Sequence, residues 1–470
     1  MQERESLGTR MGFLFLAAGS AIGLGNVWRF PFICGRYGGG IFVLIYVVCL
    51  AVIAVPILAM EFAIGRGSQR SIVRSFHVLE PKGSKWHGFG PVALAGNYLL
   101  MMFYTIITGW MINYFYKYCT GAFANFKLPS EVADGPGTAV EVFLSMIGSP
   151  AQCILFMAIA VCFGFASVAI GLKKGTEKIT KFMMSSLFVI LVILIFRAVT
   201  LDGASKGVAW FLLPHTEAFS EHAWYEIVHA AMGHAFFTVS VGMGSQAIFG
   251  SYIGKDRKLF GEGIAVAGLD TFCSLGAGLV IFSACFAFGT SVGAGPGLVF
   301  MTLPNIFHSM PGGAFWGIVF FLFMSFAAIS TVITVFEFIV ACWMDLTGWS
   351  RKKVCAINLP LMLVLCIPCA LGFNVWEGFQ PFGEGSGFID LFDFAVSNNI
   401  LPIGSGIFTL FCVLKLKGWG WDNFLAEVNA GKGLAFPSNE IFRKYLAYLV
   451  PVVIVIIWVV GYLQFFHIGG

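Results

Sequence analysis

Long apolar stretches alternate with short polar connections along this chain, and that alternation limits its possible folds more than any other feature. Crossing a bilayer takes about 20 apolar residues in a helix. Eleven segments meet that length: 11–34, 41–64, 92–118, 151–171, 181–200, 227–253, 264–290, 315–345, 353–372, 388–415 and 442–466. Only 11% of the residues are charged and 58% are apolar, against about 25% charged in soluble domains. The chain therefore reads as an all-α membrane protein, one transmembrane domain over residues 1–470. Its charged start, MQERESLGTR, runs straight into segment 1 and is expected to insert without a cleaved leader. The apolar stretch 291–312 is riddled with Gly and Pro and reads as a folded outer loop capping a vestibule. Twelve cysteines show no paired extracellular spacing and no CxxC…CxxC pattern; those in apolar stretches, such as Cys49, Cys162 and Cys285, read as buried thiols.

An odd number of segments puts the two termini on opposite faces. Lys and Arg then sort unevenly. The N-terminus and the even-numbered connections carry 22 of the 28, in clusters such as Arg66, Arg70, Arg74, Lys82 and Lys85. The other face keeps Arg29, Arg36, Lys117, Lys127, Arg197 and Lys206. By the positive-inside rule the N-terminus is expected to be cytoplasmic, in a plasma membrane.

Segment 1 is interrupted at its middle. In AAGSAIGLGNVWRFPF (17–32), Gly19, Gly23 and Gly25 stand beside Asn26, Arg29 and Pro31. Glycine costs a helix interior about 0.5–1 kcal/mol relative to alanine. Five segments on, HAFFTVSVGMGSQAIFG (234–250) repeats the interruption, with Gly242 and Gly244 after Thr238 and Ser240. Such glycines can simply permit close helix packing. Two interrupted segments at corresponding positions of two halves, however, point to a transporter binding site. The halves are segments 1–5 (about 11–200) and 6–10 (about 227–415), inverted relative to each other, with segment 11 (about 442–466) appended. Unwound backbone frees carbonyls for a hard cation. It also leaves a helix N-terminus whose N–H groups, such as those of Leu24 and Gly25, can hold a carboxylate. Sodium together with an anionic group follows from that chemistry.

Acidic residues at membrane depth are expensive and usually functional. Asp270, in a wholly apolar neighbourhood near the start of segment 7, is read as an ion ligand. Glu61 and Glu337 are read as helix-capping or inter-helix hydrogen-bond acceptors, and Asp390 and Asp393 open segment 10. Ser330 and Thr331, taken alone, are ordinary back-bonding hydroxyls. His229 and His234 are read as satisfied packing residues, since they lack metal-ligand spacing.

GSAIGLGNVWRFP in segment 1, GRYGGGIF before segment 2, FFTVSVGMG in segment 6 and ISTVIT in segment 8 resemble the neurotransmitter:sodium symporter family, across nearly the whole chain. Its prokaryotic amino-acid branch is the nearest fit. The resemblance implies a LeuT-type fold: an inverted 5+5 helix repeat with helices 1 and 6 unwound, and eleven transmembrane helices. It implies two sodium sites. One uses the Ala21 carbonyl, Asn26, Thr238 and Asp270 with the substrate carboxylate. The other uses the carbonyls of Gly19, Ile22 and Ala327 with the hydroxyls of Ser330 and Thr331. The substrate carboxylate would meet Leu24 N–H, Gly25 N–H and Tyr104. Its amino group would meet the carbonyls of Ala21, Phe237 and Thr238, and Ser240. The side-chain pocket would be lined by Leu100, Ile107, Phe237, Met243, Thr331 and Val335. Arg29 and Asp393 resemble the outer gate pair; Arg4 and Asp345, helped by Tyr252, resemble the inner one.

Departures from the family pattern refine this. Position 23 is Gly, where amine transporters carry an acid, so the substrate must bring its own carboxylate: an amino acid. Asp270 stands where chloride-dependent members have a neutral amide, beside Ser274, which implies a fixed negative charge in place of chloride. Gly175 and Ser185 replace a Gly…Pro pair at the start of segment 5, and Leu7 replaces a Trp of the inner latch. Met243, often Phe in relatives, with Phe237 and Tyr104, favours a bulky apolar or aromatic amino acid. The function implied is chloride-independent, sodium-coupled import of such an amino acid. A non-transporting sensor on the same fold, or a symporter for a small or modified amino acid, are the alternatives. Neither an enzyme's nucleophile–base constellation nor a nucleic-acid patch is evident.

Overall fold

The computed structural model describes residues 5–124, 126–129, 137–290 and 297–466. Among these, secondary structure is helical apart from three isolated bridges. Nine helices are long and apolar enough to cross a membrane: Gly40–Ser68, Trp86–Cys119, Pro150–Ala169, Leu172–Val199, Leu259–Ala287, Gly313–Thr347, Arg351–Leu371, Phe388–Val413 and Glu440–Leu463. Arg10–Ala21 and Gly25–Arg36 make a tenth, bent by 50° at the break. Segment 6 is Trp224–Thr238 and Ser245–Gly250, two helices too short to cross singly, separated by residues 239–244. Among the described residues nine of the eleven expected segments are single helices long enough to cross, and the two interrupted segments, 1 and 6, are the two that break.

The breaks have local causes. Ile22 closes the first half of segment 1 with extended backbone (φ −74°, ψ 106°). A Cβ on Gly23 would fall 2.1 Å from the Tyr104 hydroxyl and 2.5 Å from Thr331 Oγ1, so only glycine fits. In segment 6, Gly242 has φ +99° and its Cβ position lies 2.1 Å from the Leu401 carbonyl. Ser240 also takes a left-handed φ of +53°, rare for a residue with a side chain. Its hydroxyl donates to the Ser20 carbonyl at 2.9 Å, tying one break to the other.

Packing sets the core. Over an 18-residue apolar stretch of each, segments 3 and 8 are 78% and 72% buried, segments 5 and 11 only 33%. Segments 3 and 8 thus form the interior, and segment 1 packs between segment 8 and segment 7. Cys162 faces outward rather than into the core, because one side of segment 4 lies on the bundle's periphery. The loop expected at 291–312 is helical over Leu298–Ser309, too short to span; positions 291–296 lie outside the described residues. Phe300 packs there on Trp110 and Tyr114 of segment 3.

Candidate functional site

Segment 8 is continuous where segment 1 is broken, so it presents hydroxyls to freed carbonyls. Thr331 Oγ1 lies 3.0 Å from the Gly19 carbonyl, 3.2 Å from that of Ile22 and 3.4 Å from that of Ala327. Ser330 Oγ lies 2.9 Å from the Ala327 carbonyl. Four of the five groups that the resemblance assigns to one sodium site thus lie together at the Thr331 hydroxyl, while Ser330 Oγ bonds the Ala327 carbonyl of its own helix. The donor set is wholly oxygen, as a hard cation requires.

The other cluster centres on Asp270. Helix 259–287 begins at Leu259, before the apolar pattern does, so Asp270 sits well inside it rather than near its start. Thr238 Oγ1 lies 3.0 and 2.9 Å from its two carboxylate oxygens, and Asn26 Nδ2 donates to it at 2.7 Å. Asn26 Oδ1 accepts the Gly23 N–H at 2.9 Å. Ser274 Oγ, 2.9 Å from Asn26 Nδ2, and the Tyr46 hydroxyl, 3.3 Å from Asp270, complete the cluster. Tyr46 was not among the sequence candidates; an aromatic hydroxyl in segment 2 carries no motif that points across the bundle to segment 7.

Between the clusters lies a small cavity of about 20 Å³, against roughly 300–1,000 Å³ for ligand pockets. Ala21, Gly25, Leu100, Tyr104, Phe237, Ser240, Met243 and Thr331 line it as expected. So do Ser20, Gly23 and Leu401, which the sequence candidates omit. Ile107 and Val335 are buried but do not reach this cavity. Leu24 N–H donates to the Tyr104 hydroxyl at 2.9 Å, which fixes that ring over the break.

Above the cavity, Arg29 stacks 4.4 Å over the Phe237 ring. It reaches Asp393 Oδ1 at 3.4 Å and Ser397 Oγ at 2.9 Å, and Ser397 donates to Asp393 at 2.6 Å. Asp390, by contrast, caps its helix through the Gly387 N–H at 2.8 Å. On its other side Arg29 lines a larger cavity of about 1050 Å³ between segments 1, 6, 10 and 11, with Ser397, His229 and Trp458 in its wall.

The opposite face is closed by a denser network. Glu337, fully buried, accepts from Arg351 at 2.6 and 3.0 Å, from the Tyr252 hydroxyl at 2.7 Å and from Thr176 at 3.0 Å. Arg351 also pairs with Glu5. The expected capping role of Glu337 is thus exceeded: it joins segments 5, 6, 8 and 9. Glu177 accepts the Gly8 N–H at 3.0 Å and the Thr9 hydroxyl at 3.3 Å, and Leu7 N–H donates to the Tyr252 carbonyl at 3.1 Å. Asp345 accepts the Ser71 N–H at 2.6 Å. Arg4, its expected partner, lies outside the described residues. Segment 5 is helical without interruption over Leu172–Val199, with Ser185 inside it.

Two other buried groups resolve differently. Glu61 Oε1 accepts the Gly242 N–H at 2.5 Å, so segment 2 holds the unwound stretch of segment 6. His234 is a packing residue, its ring against Phe30 and Tyr46, but neither nitrogen has a partner among the described residues.

Two broken helices with oxygen-rich clusters, enclosed between two gates, define a helical secondary transporter. The profile of the Sodium:neurotransmitter symporter family matches residues 4–128 and 140–468, and the chain belongs to that family. It is 32% identical over 463 residues to the uncharacterized sodium-dependent transporter YhdH of Bacillus subtilis, covering 97% of this chain and 98% of that one. An uncharacterized sodium-dependent transporter of Haemophilus influenzae is 30% identical over 469 residues, covering 97% and 98%. Among solved structures, MhsT in complex with L-phenylalanine superposes with a TM-score of 0.85 at 36% identity, covering 97% of this chain and 99% of that one. The chain is a multi-pass membrane protein and a sodium-dependent transporter; its relatives are transporters, not enzymes.

Proposed function

We propose that this transporter couples two sodium ions to the import of a neutral, bulky apolar or aromatic amino acid, without chloride. The observation that carries the coupling is the convergence of Gly19, Ile22 and Ala327 carbonyls on Thr331 at the break of segment 1. A cation bound there joins a helix that changes shape to one that does not. The second ion lies at Asn26, Thr238 and Asp270 with the Ala21 carbonyl. There it contacts the substrate carboxylate, which the Leu24 and Gly25 N–H groups and Tyr104 also hold. The Ala21, Phe237 and Thr238 carbonyls and Ser240 take the amino group.

Substrate class rests on three side chains. Met243 is flexible and polarizable, and Phe237 and Tyr104 flank it in the cavity wall. A relative has been solved with L-phenylalanine bound, which agrees. Because the cavity is small in this conformation, Met243 and Phe237 must swing outward to admit such a side chain.

Alternating access then rocks segments 1, 2, 6 and 7 against 3, 4, 8 and 9. In the arrangement described, both the Arg29 layer and the Glu337 network are closed. The Lys- and Arg-rich face is cytoplasmic, so entry is from the Arg29 side. Two sodium ions with a zwitterion carry about two charges, worth about 4–5 kcal/mol at 100 mV. The potential alone then supports a concentration ratio above roughly 10³.

Uptake into proteoliposomes tests this. Labelled leucine, phenylalanine, tyrosine and tryptophan are supplied with an inward sodium gradient and inside-negative potential. Accumulation above equilibrium that collapses in potassium is the expected result. Sodium-dependent binding without accumulation would make the protein a sensor instead, and glycine outcompeting all four would move the substrate to small amino acids.

A further inference from the structure

The connection between segments 2 and 3 carries an amphipathic helix, Ile72–Leu79, followed by a tight turn into the first residues of segment 3. Phe76 anchors the apolar side of this helix against Phe408 and Phe411 of segment 10. Its polar side holds a constellation unrelated to the transport site. His77 and His87 stack with ring centroids 4.1 Å apart and planes 14° from parallel. Their Nδ1 atoms lie 3.6 Å and 2.5 Å from the same oxygen of Glu80, Oε1.

The other oxygen of Glu80 is already occupied. Oε2 accepts from Ser84 Oγ at 2.8 Å and from the His87 N–H at 3.2 Å. The carboxylate is therefore held in one orientation by its surroundings, with Oε1 presented to both imidazoles. Outer hydrogen bonds of this kind are what orient ligands at metal sites. One ligand atom from each residue lies within 4.8 Å of the other two. Tetrahedral zinc with bonds near 2.0–2.1 Å separates its ligand atoms by about 3.4 Å. The His77–Glu80 distance already matches; the His87–Glu80 contact must lengthen and the stacked rings must turn so that both Nδ1 lone pairs meet one ion. Both histidines are partly exposed, at 49% and 37% of their side chains, so they can rotate and an ion can reach them.

We propose that His77, Glu80 and His87 bind one divalent transition-metal ion of the zinc class, leaving a fourth position to water. The bound ion fastens the helix Ile72–Leu79 to the start of segment 3. That helix is preceded by Ser71, whose N–H is held by Asp345 of segment 8. The site therefore sits on the cytoplasmic closure, in the orientation proposed above, and metal there restrains its opening.

The test uses the full chain in detergent, stripped with a chelator and titrated with zinc by calorimetry, with melting followed in parallel. Neither readout depends on the transported substrate. The expected result is one ion per chain at micromolar affinity or tighter, with a raised melting temperature. His77→Gln/His87→Gln, melting like the metal-free parent, should bind at least about tenfold more weakly; Glu80→Gln serves as a second variant. Parent protein that ignores zinc up to about 0.1 mM, or zinc binding unchanged in both variants, overturns the site. In proteoliposomes, zinc on the Lys- and Arg-rich face should slow uptake several-fold in the parent and not in the double variant. Equal rates despite confirmed binding overturn the restraint.

Discussion

The Thr331 hydroxyl donates to the carbonyl of Gly19 at 3.0 Å, across 312 positions of sequence. That contact joins the straight core helix of segment 8 to the broken helix of segment 1. Thr331→Val keeps the shape and removes the oxygen. It should lower apparent sodium affinity about tenfold or more while leaving expression and melting in potassium near those of the parent. Sodium titration of substrate binding checks it; an unchanged sodium midpoint contradicts the assignment.

Asp270 lies within 3.0 Å of both Thr238 and Asn26, and in the proposed function it supplies a fixed charge in place of chloride. Ser274 and Tyr46 stand beside it. Parent uptake should be the same in chloride and gluconate. Asp270→Asn removes the charge but keeps the hydrogen-bonding shape, and should make uptake chloride-dependent. A parent rate far lower in gluconate contradicts the charge-replacement argument.

The outer layer should behave as a latch. Asp393→Asn removes the charge that Arg29 meets at 3.4 Å but leaves Ser397 and Phe237 in place. A part-exposed pair is worth up to about 1 kcal/mol, so bound substrate should dissociate about two- to fivefold faster. Filter-binding chase experiments measure this. Slower dissociation would mean the pair does not hold the closed state.

Glu337 and Arg351 form a buried pair, and removing one partner of such a pair costs about 3–5 kcal/mol. Glu337→Gln should therefore melt below the parent. Replacing both residues by Met should restore most of the loss, since an apolar pair leaves no uncompensated charge. Melting curves of the two singles and the double decide it; a Glu337→Gln protein as stable as the parent contradicts the pairing.

Much of this was legible because glycine and charge are costly in hydrocarbon. The breaks at Gly23 and Gly242 show as interruptions in otherwise apolar runs, and Asp270 as an acid among apolar residues. Thr331 was legible only through the family motif, since a lone hydroxyl in a helix ordinarily bonds its own backbone. Long-range pairings left no local signal. Nothing in ISTVITVFE tells that Glu337 meets Arg351 beyond the next turn and Tyr252 from segment 6. Leu401 enters the cavity wall because segment 10 packs beside the Gly242 break, which only the tertiary arrangement reveals. The pairing of His77 with His87 leaves no local signal, because it depends on a turn that brings His87 back over His77.

The most direct test of sodium coupling is equilibrium binding of radiolabelled leucine, tyrosine and tryptophan to the purified protein, in sodium and in matched potassium. Saturable binding in sodium, absent in potassium and needing about tenfold more sodium in Thr331→Val, is the predicted result. Equal binding in both salts, or a sodium midpoint unchanged by loss of the Thr331 hydroxyl, would contradict it.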